Sequence, residues 1–153
     1  MNQHELLRHE LESSREFFER STRVLEEKDS GFVPTADQYS VAAHVAHAAL
    51  TIDWFLGGAF GDGFDMNFAE HDRQARAVTS LQTAREMLAA AYERAIRATT
   101  ERSAAEWQEE FPAGSLLQGP KSGVVFGLVE HSAHHRGALS VYARLLGKQP
   151  LMP

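Results

Sequence analysis

Apolar residues recur along this chain at the three- and four-residue spacing of helices, and no segment makes a convincing strand. The first helical segment, about Gln3 to Glu27, sets Leu7, Leu11, Phe18 and Leu25 among Glu and Arg residues. The Gly and Pro of "KDSGFVPTADQ" then interrupt the pattern. A second segment, "SVAAHVAHAALTIDWFLGG", has Ser40 placed as N-cap and ends at Gly57-Gly58. A loop follows, "AFGDGFDMNFAEHDRQARAV", rich in Gly and Asp at its start. The third predicted helix runs from about Ser80 to Thr100, with Leu81, Ala84, Leu88, Ala91 and Ala95 on one stripe. Ser103 and Glu106 fit a capping box, so "SAAEWQEEF" reads as a short extra turn. After a break at "PAGSLLQGPKSG", the fourth helix is predicted from about Ser122 to Leu146, with Gly147 as the left-handed residue that ends it.

Four long helices and no strands predict an all-α fold, a four-helix bundle forming a single domain over residues 1–153. The link between the second and third helices is about 20 residues. A helix of ~20 residues spans ~30 Å, so such a link can return along the whole bundle. A crossover with the second and third helices parallel is therefore allowed.

Composition narrows the chemistry. At 153 residues the chain can bury a real core. It has no cysteine, which excludes disulfides and thiolate metal sites and leaves His, Asp and Glu as ligands. The net charge of −6, with no basic stripe, argues against a nucleic-acid partner or an anionic membrane surface. The charged N-terminus does not resemble a signal peptide, and no apolar run approaches the ~20 residues of a membrane span. The expected location is cytoplasmic.

Eight histidines are present, and three of them crowd into "EHSAHHRGAL". His131 and His135 are four apart, so they share a helical face and can reach one metal ion. The zinc-protease pattern H-E-x-x-H is absent, because Ser132, Ala133 and His134 lie between them. A di-iron carboxylate set cannot be assembled either. A third ligand must come from another helix, and His44 and His47 are the candidates, set among Val41, Ala42, Ala43, Val45, Ala46 and Ala48. His4, His9 and His71 sit in charged segments and are expected to be solvated. A buried histidine among alanines is more often a hydrogen-bonded core residue than a ligand, so spacing alone leaves the set open.

"EHSAHHRGALSVYARLLGKQPLMP" and "HVAHAALTIDWFLGG" resemble the C-terminal signature and the central His-to-Trp segment of the DinB-like (damage-inducible) family. The family form is a His seven residues before an aromatic, and later H-x-x-H-H-R-G-Q. His47 is seven residues before Trp54 and His44 is ten, so the resemblance selects His47. In the later motif it selects His131 and His135 as ligands and leaves out His134. Ala138 replaces the motif's Gln.

The resemblance implies an up-down-down-up bundle, often a homodimer, with one divalent metal on His47, His131 and His135. Zn or Ni leads, with Mn or Fe as alternatives. It also implies kinship with enzymes that use low-molecular-weight thiols, and a small-molecule substrate. Three neutral imidazoles leave coordination positions open, as in catalytic sites. Such an ion can activate a bound water or thiol. Arg136, next to a ligand, is the candidate for holding an anionic thiol or substrate, with a salt bridge as its alternative. Glu130 and Asp53 are candidate partners for ligand N–H groups. Three functions follow: metal-dependent thiol transfer to a small electrophile, metal-dependent hydrolysis of a small amide or ester, and a non-catalytic stress-associated bundle.

Overall fold

The computed structural model describes residues 1–152. Among them it has six α-helices, one 3-10 turn, and no strand beyond an isolated bridge between Glu110 and Pro120. The four long helices are α1 (Gln3–Thr22), α2 (Val41–Phe60), α4 (Leu81–Glu101) and α6 (Gly123–Leu145). The short ones are α3 (Phe68–Arg76) and α5 (Ala104–Gln108). No helix among the described residues is long and apolar enough to cross a membrane.

The long helices pack in a ring. α1 lies against α4 and α6, and α2 lies against the same two. The predicted stripes supply the core: Leu7, Leu11 and Phe18 from α1, with Leu81, Ala84, Leu88, Ala91 and Ala95 from α4, and Tyr92 of α4, outside the predicted stripe, is buried with them. The Tyr92 hydroxyl is satisfied within this core by the Ser14 hydroxyl at 2.9 Å, which ties α4 to α1. α2 differs from the others, because Ala42, Ala43, Ala46, Ala48 and Ala49 are all buried. Small side chains let neighbouring backbones approach closely, so α2 sits deep in the bundle.

Helix ends are set locally. Ser40 caps α2 through the Ala43 N–H at 3.2 Å. The Ser103–Glu106 capping box opens α5, where Trp107 is fully buried. α6 ends as predicted. Gly147 takes φ +74°, and the Lys148 and Gly147 N–H groups donate to the carbonyls of Ala143 and Arg144.

Three expectations are corrected. α1 stops at Thr22, before Glu27, and a 3-10 turn covers Glu27–Asp29. Just past this end the Arg85 guanidinium donates to the carbonyls of Thr22 and Leu25 at 2.9 and 3.0 Å, which satisfies backbone that no longer follows the helix. Leu25 still reaches the core, from outside the helix. α2 continues through Gly57-Gly58 to Phe60. Gly58 is a place of close approach, because a Cβ there would lie 2.1 Å from Cε1 of Phe64. Finally, the segment read as a loop contains α3. Asn67 caps it through the Glu70 N–H, and its charges pair along the helix, Arg73 with Glu70 and Arg76 with Asp72. It packs on α2.

Candidate metal centre

The site is built where α2 faces α6. His131 and His135 stand one turn apart on α6, with ring centroids 4.3 Å apart. His47 projects toward them from α2, at 5.2 Å from His131 and 4.7 Å from His135. One nitrogen from each of the three lies within 4.8 Å of the others, a grouping that can hold a metal ion. The His131 and His135 Nε2 atoms are 2.9 Å apart. Nitrogens on one tetrahedral ion with bonds of ~2.0–2.1 Å are roughly 3.3 Å apart, so small ring rotations bring this pair to that spacing.

The electrostatics agree with ligand chemistry. Burial holds His131 down to about 4 and His135 to about 2, and neighbouring imidazoles add to both effects. Burial also lowers His47, partly opposed by the Asp72 carboxylate. All three rings are therefore neutral at pH 7, with lone pairs available. Among the described residues no carboxylate joins the cluster, so the donor set there is imidazole alone.

His44 is buried one turn before His47 and is outside the three-nitrogen group. Its Nε2 is 2.7 Å from Nδ1 of His135. Its own Nδ1 is buried without a partner among the described residues. It thus touches a ligand-forming ring from behind. His134 is exposed and packs edge-on to His135 at 5.0 Å.

A cavity of about 480 Å³ opens beside the cluster, with His47 and His131 in its wall. Leu50, Trp54 and Phe55 of α2 line it, and Phe68, His71 and Asp72 line it from α3. Tyr39, just before α2, closes another side, and its ring stacks on His47 at 5.0 Å and 28°. Burial and the adjacent Asp72 push the Tyr39 hydroxyl up to about 12.

The remaining candidates lie elsewhere. Arg136 does not line this cavity. It follows His135 by one residue, about 100° around the helix, and its guanidinium lies 5.7 Å from the Phe17 ring of α1. Asp53 is committed to Arg94 of α4 through two bonds of 2.8 and 2.7 Å. Glu130 is exposed. Neither carboxylate touches a cluster histidine. His9 is exposed and His4 half-buried, and neither joins the cluster. His71, expected in solvent, lies in the cavity wall with Nε2 3.0 Å from Asp65 Oδ2. It was missed with α3, whose pattern gives little sign of a buried face. Tyr39, Phe68 and Asp72 were missed as well, because wall positions at a cavity leave no periodicity.

The sequence matches the DinB family over residues 1–152, and the chain belongs to that family. No match is found among curated proteins. A DinB-like protein from Bacillus cereus has a similar structure, with TM-score 0.68 and 19% identity, covering 94% of this chain and 89% of that one. A DinB-like protein from Bacillus subtilis gives TM-score 0.67 at 14% identity, over 97% of this chain and 96% of its own. A mycothiol-dependent maleylpyruvate isomerase also shares the fold, with TM-score 0.68 and 16% identity over 90% of this chain. The match covers 61% of that longer enzyme.

Proposed function

We propose that this protein is a divalent-metal-dependent enzyme that transfers a low-molecular-weight thiol to a small electrophile. The observation that carries the reading is the three-histidine cluster, of which His47 and His131 line a cavity of about 480 Å³. His47, His131 and His135 would hold the ion, and among the described residues no fourth ligand joins their group. When bound, the ion supplies Lewis acidity and favours the deprotonated form of a thiol. Zn or Ni is proposed, with Mn or Fe compatible with three nitrogen donors.

The chain's own residues do the rest. His44 orients His135 through the Nδ1 contact. Tyr39 backs His47. The aromatic walls seat the electrophile and exclude water. The sulfur comes from outside, since the chain has no cysteine. The shared fold with a mycothiol-dependent enzyme supports a thiol co-substrate. Arg136 lies outside this cavity wall, with its guanidinium toward Phe17 of α1, so the reading does not draw on it. The same reading orders the long helices up-down-down-up, supported by the long link that carries α3 along α2. It places the enzyme in the cytoplasm as a homodimer, for which sedimentation should show a species of twice the 17.0 kDa chain mass.

The test is metal-reconstituted protein incubated with bacillithiol, mycothiol or glutathione and a panel of electrophiles. Metal-dependent thioether products, seen by mass spectrometry and absent with His131→Ala, are expected. Cleavage of esters or amides without thiol would point to hydrolysis instead.

A further inference from the structure

The walls of the cavity beside the histidines define what it accepts. Its volume, about 480 Å³, lies in the range of small-molecule sites. Four aromatic side chains line it, Tyr39, Trp54, Phe55 and Phe68. Two of these rings are already held in place. Trp54 donates its indole N–H to the Asp65 carbonyl at 2.7 Å and packs on Phe55 at 5.2 Å. Tyr39 is stacked on His47 and carries the Arg76 guanidinium 4.6 Å from its ring centre. Fixed rings lose little freedom when a flat ligand arrives. Phe68 is 54% exposed, an apolar ring left partly uncovered beside the others.

The charges are equally selective. No Lys or Arg lines the cavity. Asp72 does, and its partner Arg76 approaches at 2.9 Å without being part of the wall. His71 is engaged by Asp65. In the metal-free protein a ligand carboxylate would therefore meet another carboxylate and no free cation, whereas a ligand cation would find Asp72 already paired.

We propose that the protein walls of this cavity, without a bound ion, favour a flat, uncharged aromatic compound. The proposal rests on the proposed function in taking this cavity as the seat of the electrophile. It concerns the walls, so it can be tested on metal-free protein.

The probes are benzamide, benzoate and benzamidine, which share a shape and differ in charge, with cyclohexanecarboxamide as the saturated counterpart. Binding is read from the Trp54 indole N–H resonance by heteronuclear NMR. The fully buried Trp107, the other of the two tryptophans, serves as internal control. Benzamide should shift the Trp54 signal. Benzoate should bind at least about tenfold more weakly, since its charge loses hydration without gaining a partner. Benzamidine should bind no tighter than benzamide, and the saturated amide several-fold more weakly. Phe68→Ala should weaken benzamide several-fold while leaving the Trp107 signal in place, which locates the site.

Equal or tighter binding of benzoate overturns the proposal, as does equal binding of the saturated amide, tighter binding of benzamidine, no response to benzamide, or no effect of Phe68→Ala. A protein that retains no Zn or Ni would overturn the metal reading and leave this result standing, so the two failures are separable.

Discussion

The contact between His44 and His135 decides where protons sit in the site. When His135 Nε2 carries its proton, it can donate to His131 Nε2, while its Nδ1 accepts from His44 Nε2. When His135 Nε2 is a metal ligand, its proton must be on Nδ1, and it donates to His44 Nε2. His44 then carries its own proton on Nδ1, which is buried without a partner. An orphaned buried donor costs about 1–3 kcal/mol, so His44 is a weaker support than a carboxylate would be. His44→Ala should accordingly lower Zn affinity by about tenfold, the low end of the range of about 10–100-fold for such supports. Competition with a chelator measures this, and an affinity unchanged within about twofold would refute the role. His134→Ala should leave affinity unchanged, because His134 is exposed. His47→Ala, His131→Ala and His135→Ala should each remove the metal after dialysis. The i, i+4 pair on α6 was legible from spacing, because one face of one helix is a local property. The choice of His47 over His44 needed the family spacing to Trp54. The role of His44 was not legible at all, since it depends on how α2 is rotated against α6.

At the scale of elements, the long helices were readable because each presents a stripe or an apolar run to the ring. α3 was not. Its one buried residue is Ala75, while Glu70 and Arg73, and Asp72 and Arg76, pair along the helix and Phe68, His71 and Asp72 line the cavity. It depends on its cap and on docking against α2. Replacing Asn67 with Ala removes the bond to the Glu70 N–H, a loss of about 1 kcal/mol. Hydrogen exchange should then quicken at the amides of α3 and stay unchanged in α4, with little change in thermal midpoint. Uniform quickening across the protein would show instead that α3 is part of the global core. Gly58 carries the opposite lesson, because the sequence marks it as a stop and the structure uses it as a gap. In Gly58→Ala the new methyl would overlap the Phe64 ring, which is itself packed on Trp54 at 4.8 Å and Phe111 at 5.7 Å. Phe64 must shift, and such overpacking typically costs about 1–3 kcal/mol. Urea unfolding should show that loss, and a wild-type midpoint would mean that Phe64 moves freely.

For the whole molecule, the cluster makes stability depend on pH in the range where most of the surface is silent. In the metal-free fold, burial holds His44 and His131 down to about 4 and His135 to about 2, from an ordinary value of 6.5. In the unfolded chain the same rings take up protons near 6.5. Between these values the unfolded state binds more protons, so stability falls as pH falls. Above about 6.5 both states are neutral and the effect vanishes. The carboxylates with lowered values, such as Asp29, Asp72 and Glu70, act in the same direction but begin lower, near the unfolded values of 3.8 for Asp and 4.5 for Glu. The window from about 6.5 to 4.5 therefore isolates the histidines. One ring kept neutral down to pH 5 corresponds to about 2 kcal/mol relative to pH 7, and the cluster sums to several. That is a large share of the roughly 5–15 kcal/mol that holds a domain of this kind together. Metal-free protein should lose several kcal/mol in urea unfolding between pH 7 and pH 5. His135→Ala should lose less over that interval, because one of the rings held neutral in the fold is gone. Saturating Zn should raise stability at pH 7, and this gain should shrink toward pH 5 as protons compete for the imidazoles. A urea midpoint flat from pH 7 to pH 5 in the metal-free protein would mean that the rings are hydrated and protonate in place, and the close-packed cluster would be refuted with it.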